Sequence, residues 1–248
     1  MKLPPALQGL VVVVGPGRLG RSVEARLREK GHDVVLIGRS AAIPPAPLTY
    51  LTVPDGAIGA AAAAVPPGGV LLHASGATAV EALRPHPCAG SLHPLMTFPG
   101  PDKAPWPEGP VPAAIDGDPM AQAAAQDLAA ALGFSAFSIA GDRRLYHAAA
   151  VLSGNFATTL LAAGAALLEA LGVSAAEAPG LLLPLARASL ENAARVGPAA
   201  ALTGPVARGD EAVLVGHQEA IAAAVPDLLP LYQALLQTSR DRLGPPRH

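Results

Sequence analysis

Cysteine is nearly missing from this sequence: Cys88 is the only one in 248 residues. No intramolecular disulfide and no cysteine-built zinc cage can form, and the lone thiol reads as a small buried apolar residue, not a nucleophile. Aromatic residues make up 3% of the chain and charged residues 15%, and the formal net charge is only −2. A chain so close to neutral has no basic footprint, which excludes nucleic acid as its main partner. Lysine occurs only at Lys2, Lys30 and Lys103 against fourteen arginines, a compositional bias without chemical meaning. No charged start followed by a long apolar run opens the chain. No stretch approaches the roughly 20 apolar residues of a membrane span. The best candidate, residues 158–168, is interrupted by Gly164 and closes at Glu169. A cytoplasmic protein with no membrane partner is expected.

What the chain does have is apolar bulk, with 51% of residues in the hydrophobic set. That excludes disorder and supplies the core of one large domain or two ordinary ones. Residues 10–14 are continuously apolar and mostly β-branched, as a parallel strand buried on both faces should be. A glycine-rich turn follows at 15–20, then a helix over 22–30 stopped by Gly31, then a strand over 33–37. Residues 44–47 form a proline-rich loop where the next helix is eroded. Further strands are read at 48–53 and 70–73, with a helix over 57–65 between them. Residues 100–112 are too rich in proline for regular structure and should cross the surface. The alternation predicts an α/β fold with an N-terminal doubly wound parallel sheet, a Rossmann-like domain over 1–141.

Gly15-Pro16-Gly17-Arg18-Leu19-Gly20 matches G-x-G-x-x-G in the context that makes it specific: after a buried strand, opening a helix, within a βαβ unit of about 30 residues. Gly15 permits the tight turn, Gly17 lets a pyrophosphate approach the backbone, and Gly20 allows close helix–strand packing. Arg18 and Leu19 complete the loop, and the helix N-terminus offers free N–H groups to phosphates. The second strand ends Gly38-Arg39-Ser40 with no carboxylate to receive a ribose 2′-hydroxyl. Arg39 can instead pair with a 2′-phosphate and Ser40 can donate to it, so NADP is the expected cofactor. A solvated Arg39 that tolerates both cofactors is the alternative. Val53, Pro54 and Ser75 end consecutive strands and should line the ribose and nicotinamide, while Asp55 is equally suited to capping the next helix.

From residue 142 onward strand signals vanish. Helices are expected over 145–171, 175–196, 210–225 and 227–243, with Pro179 and Pro184 breaking the second near its start. The segment 158–168 is apolar nearly all round, so both its faces should be buried. A small helical domain over 142–248 can manage that only against a neighbour, which predicts a homodimer through this half.

The glycine loop, Val53-Pro54-Asp55, His73-Ala74-Ser75-Gly76 and above all Gly90-Ser91-Leu92-His93-Pro94-Leu95 resemble a family in which a Rossmann-like domain precedes a DUF2520 domain. Tyr146-His147-Ala148-Ala149-Ala150, Ser153-Gly154-Asn155 and residues 202–210 are similar to that family as well. More distantly the chain is similar to pyrroline-5-carboxylate reductases, F420-dependent NADP reductases and the 6-phosphogluconate/β-hydroxyacid dehydrogenases. The resemblance implies a Rossmann domain with a helical dimerisation domain, NADP binding and hydride transfer. One departure counts. β-Hydroxyacid dehydrogenases carry a catalytic lysine a few residues before the asparagine that Asn155 matches, and no lysine lies near Asn155.

Hydride transfer to a C=O or C=N carbon calls for a donor near the heteroatom. His93 is the best candidate, in a loop read as following the sheet, with a structural histidine as the alternative. Ser75 can touch the carboxamide or substrate. Asn155, Thr159 and Ser153 suit a substrate's polar group or, equally, helix capping and packing, and His147 two turns earlier can add a proton relay. Arg208 can hold a substrate carboxylate, or else pair with Asp210 or Glu211. No metal site is expected. The expected function is an NADP(H)-dependent oxidoreductase acting on a small carbonyl or imine compound carrying a carboxylate. The missing lysine leaves a second reading open, a non-catalytic NADP-binding sensor or scaffold.

Overall fold

The computed structural model describes residues 7–243, and the chain divides after Gly154 into two compact units. Lys2 lies outside the described residues. The first unit is built on seven strands: β1 (Val11–Val14), β2 (Val34–Ile37), β3 (Leu48–Leu51), β4 (Val70–His73), β5 (Ala89–Pro94), β6 (Val111–Gly117) and β7 (Phe134–Ser138). They form one sheet in the order β2-β1-β3-β4-β5-β6-β7, parallel throughout except where β6 runs antiparallel to β5. The four valines of β1 explain why it sits inside. Val11 and Val13 pack with Val23 and Leu27 of α1 (Arg18–Glu29) and Leu128 of α3 (Pro119–Leu132). Val12 and Val14 pack on the other face with Ile58 of α2 (Ile58–Ala63) and Leu83. Each fully buried valine contributes roughly 1.5–3 kcal/mol of transfer free energy.

The sheet corrects several expectations. Helix α1 starts at Arg18, not 22, so the glycine loop feeds straight into it. No helix intervenes between β2 and β3, in keeping with the erosion read there. His93 is not in a loop; it stands in β5. The segment Ala89-Gly90-Ser91 has no β-branched residue to signal a strand, and it is pairing with β4 and β6 that makes it one. Residues 95–110 are irregular, as their prolines require, and are tied down where Trp106 donates to the Leu132 carbonyl and stacks on Phe134. The strand β6 nevertheless begins before Pro112.

Helix α4 (Arg143–Ser153) belongs to the first unit, so the contact boundary falls a helix later than the compositional one at 141/142. Asp142 caps α4 by accepting from the Arg144 N–H. The buried Arg143 ties the helix to the sheet, donating to the Ser75 carbonyl at 2.8 Å and to Asp116 of β6 at 3.4 Å.

The second unit is all helix: α5 (Asn155–Ala170), α6 (Ala178–Val196), α7 (Pro198–Ala201), α8 (Gly204–Arg208), α9 (Glu211–Ala224) and α10 (Leu229–Leu243). Pro179 falls at the start of α6, where its missing N–H costs nothing, and α6 continues through Pro184 in place of the expected break. The expectation that residues 158–168 are buried on both faces is not met within the chain: Ala165 alone in α5 is buried. Leu160 is 43% and Phe156 49% exposed. By length and composition alone the helical stretch Arg143–Ala170 is also apolar enough to cross a membrane, its most apolar 18 residues having a mean hydropathy of 1.6, which corrects the reading that no segment comes near.

Candidate active site

Two features of the first unit converge at the carboxyl ends of the parallel strands. The first is the glycine loop. Gly15 has φ +110°, open to glycine and strained for other residues, and a Cβ there would lie 2.9 Å from the Thr52 carbonyl. A Cβ on Gly20 would lie 2.0 Å from the Gly15 carbonyl oxygen, so helix and loop touch backbone to backbone. Thr52, just past β3, locks this turn by donating to the carbonyls of Val14 and Gly15 at 3.0 and 2.9 Å. Gly17 is different. It has an ordinary φ of −72° and nothing within 4 Å of where a Cβ would be. It is the N-cap of α1 without a side-chain cap, and no acidic residue stands in the first turn, so the helix N-terminus faces open space with its N–H groups unspent.

Around that loop, Arg18 and Arg39 are exposed and have no acidic partner among the described residues, while Leu19 packs against the core. Ser40 is the one described residue other than glycine with positive φ, +66°. Val53 lies against Gly15, and Pro54 is exposed beside it. Asp55 opens a short 3-10 turn without making a side-chain cap.

The second feature is a cluster of aromatic nitrogen and oxygen groups. His93 Nδ1 lies 2.7 Å from the Tyr146 hydroxyl, and the His147 ring stands 6.0 Å from the His93 ring, edge to face. Arg143, Tyr146 and His147 fall at i, i+3 and i+4 of α4, which puts them on one side of the helix. Phe137 of β7 braces Tyr146 edge-on at 6.4 Å. Gly76 leaves the niche open: a Cβ there would stand 2.9 Å from His93 Nε2 and 2.8 Å from His147 Cδ2.

Burial, then the neighbouring His147 and Arg143, push His93 down to about 4. Burial pushes Tyr146 up to about 12. Both groups are therefore neutral at pH 7. The phenol is much the stronger acid of the two, so we assign it as donor to Nδ1, which leaves the imidazole proton on Nε2, next to the space Gly76 keeps open.

Ser75 is buried, and its hydroxyl accepts from the Ala77 and Thr78 N–H groups and pairs with the Thr78 hydroxyl. These bonds shape the turn that follows β4. Ser153 is exposed at the end of α4. Asn155, Thr159 and Arg208 lie in the second unit, all exposed, and Thr159 donates back to the Asn155 carbonyl. Glu211 pairs with Arg240, not Arg208, and Asp210 caps α9. Tyr146 and Arg143 are the residues that sequence reasoning left out. The signal lay in their spacing: an arginine three and four residues before a Tyr-His pair.

In comparison with known proteins, the chain is similar to the solved structure of a candidate NADP oxidoreductase from Bacteroides fragilis, with a TM-score of 0.79 and 21% identity over 96% of this chain and 100% of that one. It is similar to a reductive aminase from Aspergillus terreus solved with NADPH and ethyl-5-oxohexanoate, with a TM-score of 0.65 and 22% identity over 95% of each chain. It is also similar to the 1-pyrroline-5-carboxylate reductase of Streptococcus pyogenes, with a TM-score of 0.61 and 15% identity over 95% of this chain and 98% of that one. At these identities the likeness is one of fold. No curated protein sequence matches the chain. The family model described as Domain of unknown function (DUF2520) matches residues 111–239, just over half of the chain, and the protein belongs to that family.

Proposed function

We propose that the protein is an NADP(H)-dependent oxidoreductase that moves a hydride between the cofactor and the carbon of a small carbonyl or imine compound bearing a carboxylate. The observation that carries this reading is the neutral Tyr146–His93 pair in the unit that also holds an uncapped helix N-terminus behind a glycine loop.

The loop fits a dinucleotide. The open space at Gly17 suits a pyrophosphate, and the N–H groups of α1 and Arg18 would hold its charge. Arg39 and Ser40 would hold a 2′-phosphate, and Val53 and Pro54 would flank the ribose. When bound, the cofactor would supply or accept the hydride. The reductive aminase from Aspergillus terreus, solved with NADPH and ethyl-5-oxohexanoate and with NADPH and ethyl levulinate, supports the choice of cofactor and of a ketone as substrate.

His93 would meet the substrate heteroatom with the proton on Nε2, and Tyr146 would replace that proton through Nδ1 as negative charge develops. Neither group has to be charged beforehand. Ser153, at the end of the helix that carries Tyr146, would orient the substrate's polar groups. The exposed apolar residues of α5 and α6 support a homodimer with the second unit as its interface.

A screen of keto acids, ketones and cyclic imines for NADPH consumption tests the reading. Reduction of at least one compound is expected. Its rate should fall about 100-fold or more in His93→Ala and Tyr146→Phe with NADPH affinity retained. Cofactor binding without turnover across the screen would favour the sensor reading instead.

A further inference from the structure

The wall behind His93 is itself held in place, and the two residues that hold it are buried charges or polar groups in positions where apolar side chains would pack. We infer that His73 and Arg143 are positioning residues, which clamp the Ser75–Gly76 turn from opposite sides and so fix the imidazole of His93 against it. This rests on the reading of His93 as the proton-donating group.

The geometry runs through one short turn. His73, the last residue of β4, accepts the Ser75 N–H on its Nδ1 at 3.2 Å. Arg143 donates to the carbonyl of the same residue at 2.8 Å. The next residue, Gly76, passes beside both imidazoles: a Cβ there would stand 2.9 Å from Cε1 and Nε2 of His93 and 2.8 Å from Cδ2 of His147. Both ends of the Ser75 backbone are thus tied before the chain passes the two imidazoles.

The cost of this arrangement is visible. His73 is 0% exposed, and its Nε2 finds no partner among the described residues. Ser91, its register partner on β5, is also fully buried, with an unpartnered hydroxyl. Arg143 is 7% exposed with its Nε unpartnered. A leucine at position 73 would remove the orphan Nε2 while filling the space, as Leu51 does beside it on β3. What leucine lacks is an acceptor for the Ser75 N–H.

His73 is tested by variants read against one another. It titrates near pH 4, as His93 does, and the two repel each other when charged, so every His73 variant removes the same neighbouring charge. The other groups acting on His93 are His147 and Arg143, which lower its affinity for a proton, Asp55, which raises it, and the Tyr146 hydroxyl. All of these remain in a His73 variant. A difference in the His93 titration between two His73 variants then reports a change in its position and hydration.

The experiment follows the imidazole resonances of the ligand-free, full-length protein across pH, with the His93 signals assigned by their loss in His93→Gln. In His73→Asn the side-chain amide oxygen can take the place of Nδ1, and the His93 midpoint there carries only the loss of the His73 charge. In His73→Leu, which cannot accept, the midpoint should lie about one unit or more above that of the Asn variant, closer to the ordinary histidine value, as the turn loosens and the imidazole is better hydrated. Should His73→Leu not fold, His73→Gln serves, because its amide reaches the Nε2 position and not the Nδ1 position. A midpoint in the Leu or Gln variant equal to that of the Asn variant overturns the clamp. No substrate is needed. A difference between the variants without any NADPH-dependent activity would leave the clamp standing and remove the donor role of His93; activity without such a difference would overturn the clamp alone.

Discussion

Two histidines of the first unit are held neutral by burial, and this makes the protein sensitive to acid in a defined window. The folded values of His73 and His93 are pushed down to about 4 from an unfolded value of 6.5. Between those limits the unfolded chain binds protons that the folded chain refuses. Their contribution to stability is therefore complete above pH 6.5 and is lost as pH falls toward 4. For the fully buried His73 the slope is about 1.4 kcal/mol per pH unit, which lowers the melting temperature by roughly 3–6 °C per unit in a chain of this size. Thermal melts at pH 7, 6 and 5 should follow that decline, and His73→Asn should make it shallower while leaving the share of His93. A melting temperature independent of pH over that range would mean that His73 is solvated. Activity has its own limit. Protonation of His93 near pH 4 destroys the acceptor that Tyr146 uses, whereas the Tyr146 phenol, raised to about 12, stays protonated through any alkaline assay.

At the scale of the element, the glycine loop separates folding from binding. Gly20→Ala would drive a Cβ into the Gly15 carbonyl, and a loss of about 3 kcal/mol or more is expected by denaturant unfolding. Gly17→Ala meets nothing within 4 Å, so it should unfold like the parent to within about 0.5 kcal/mol while NADPH affinity falls at least tenfold, roughly 1.4 kcal/mol. Equal effects of the two changes on folding would contradict this division. The loop was readable in the sequence because the valine run, the glycine spacing and the following helix are all local signals. The strand β5 was not. Its residues carry no β pattern, and only the partners β4 and β6, distant in sequence, make a strand of them. That hid the setting of His93. Tyr146 was hidden for a related reason, since its hydroxyl meets His93 across 53 positions of chain. The second helical half was legible as helix from its Ala/Leu texture, but Pro184 inside α6 shows that a single local breaker can be overridden.

At the scale of the whole molecule, the second unit does not cover itself. Leu181, Leu185 and Leu190 of α6 are 63%, 67% and 62% exposed, well beyond what isolated surface leucines explain when Phe156 and Leu160 of α5 are open too. Light scattering on the purified chain should give twice the 24.8 kDa mass, and Leu181→Glu with Leu185→Glu should return it to one. A monomeric parent would rule out the second copy as the cover for that face. The cofactor claim carries the most weight, because the donor pair and the substrate class both depend on it. It is tested most directly by titrating the protein with NADPH and NADH and reading both fluorescence and protection against thermal unfolding. NADPH should bind at least tenfold more tightly than NADH, a difference of about 1.4 kcal/mol, and Arg39→Ala should abolish the preference. Binding of neither dinucleotide would contradict the oxidoreductase reading at its base.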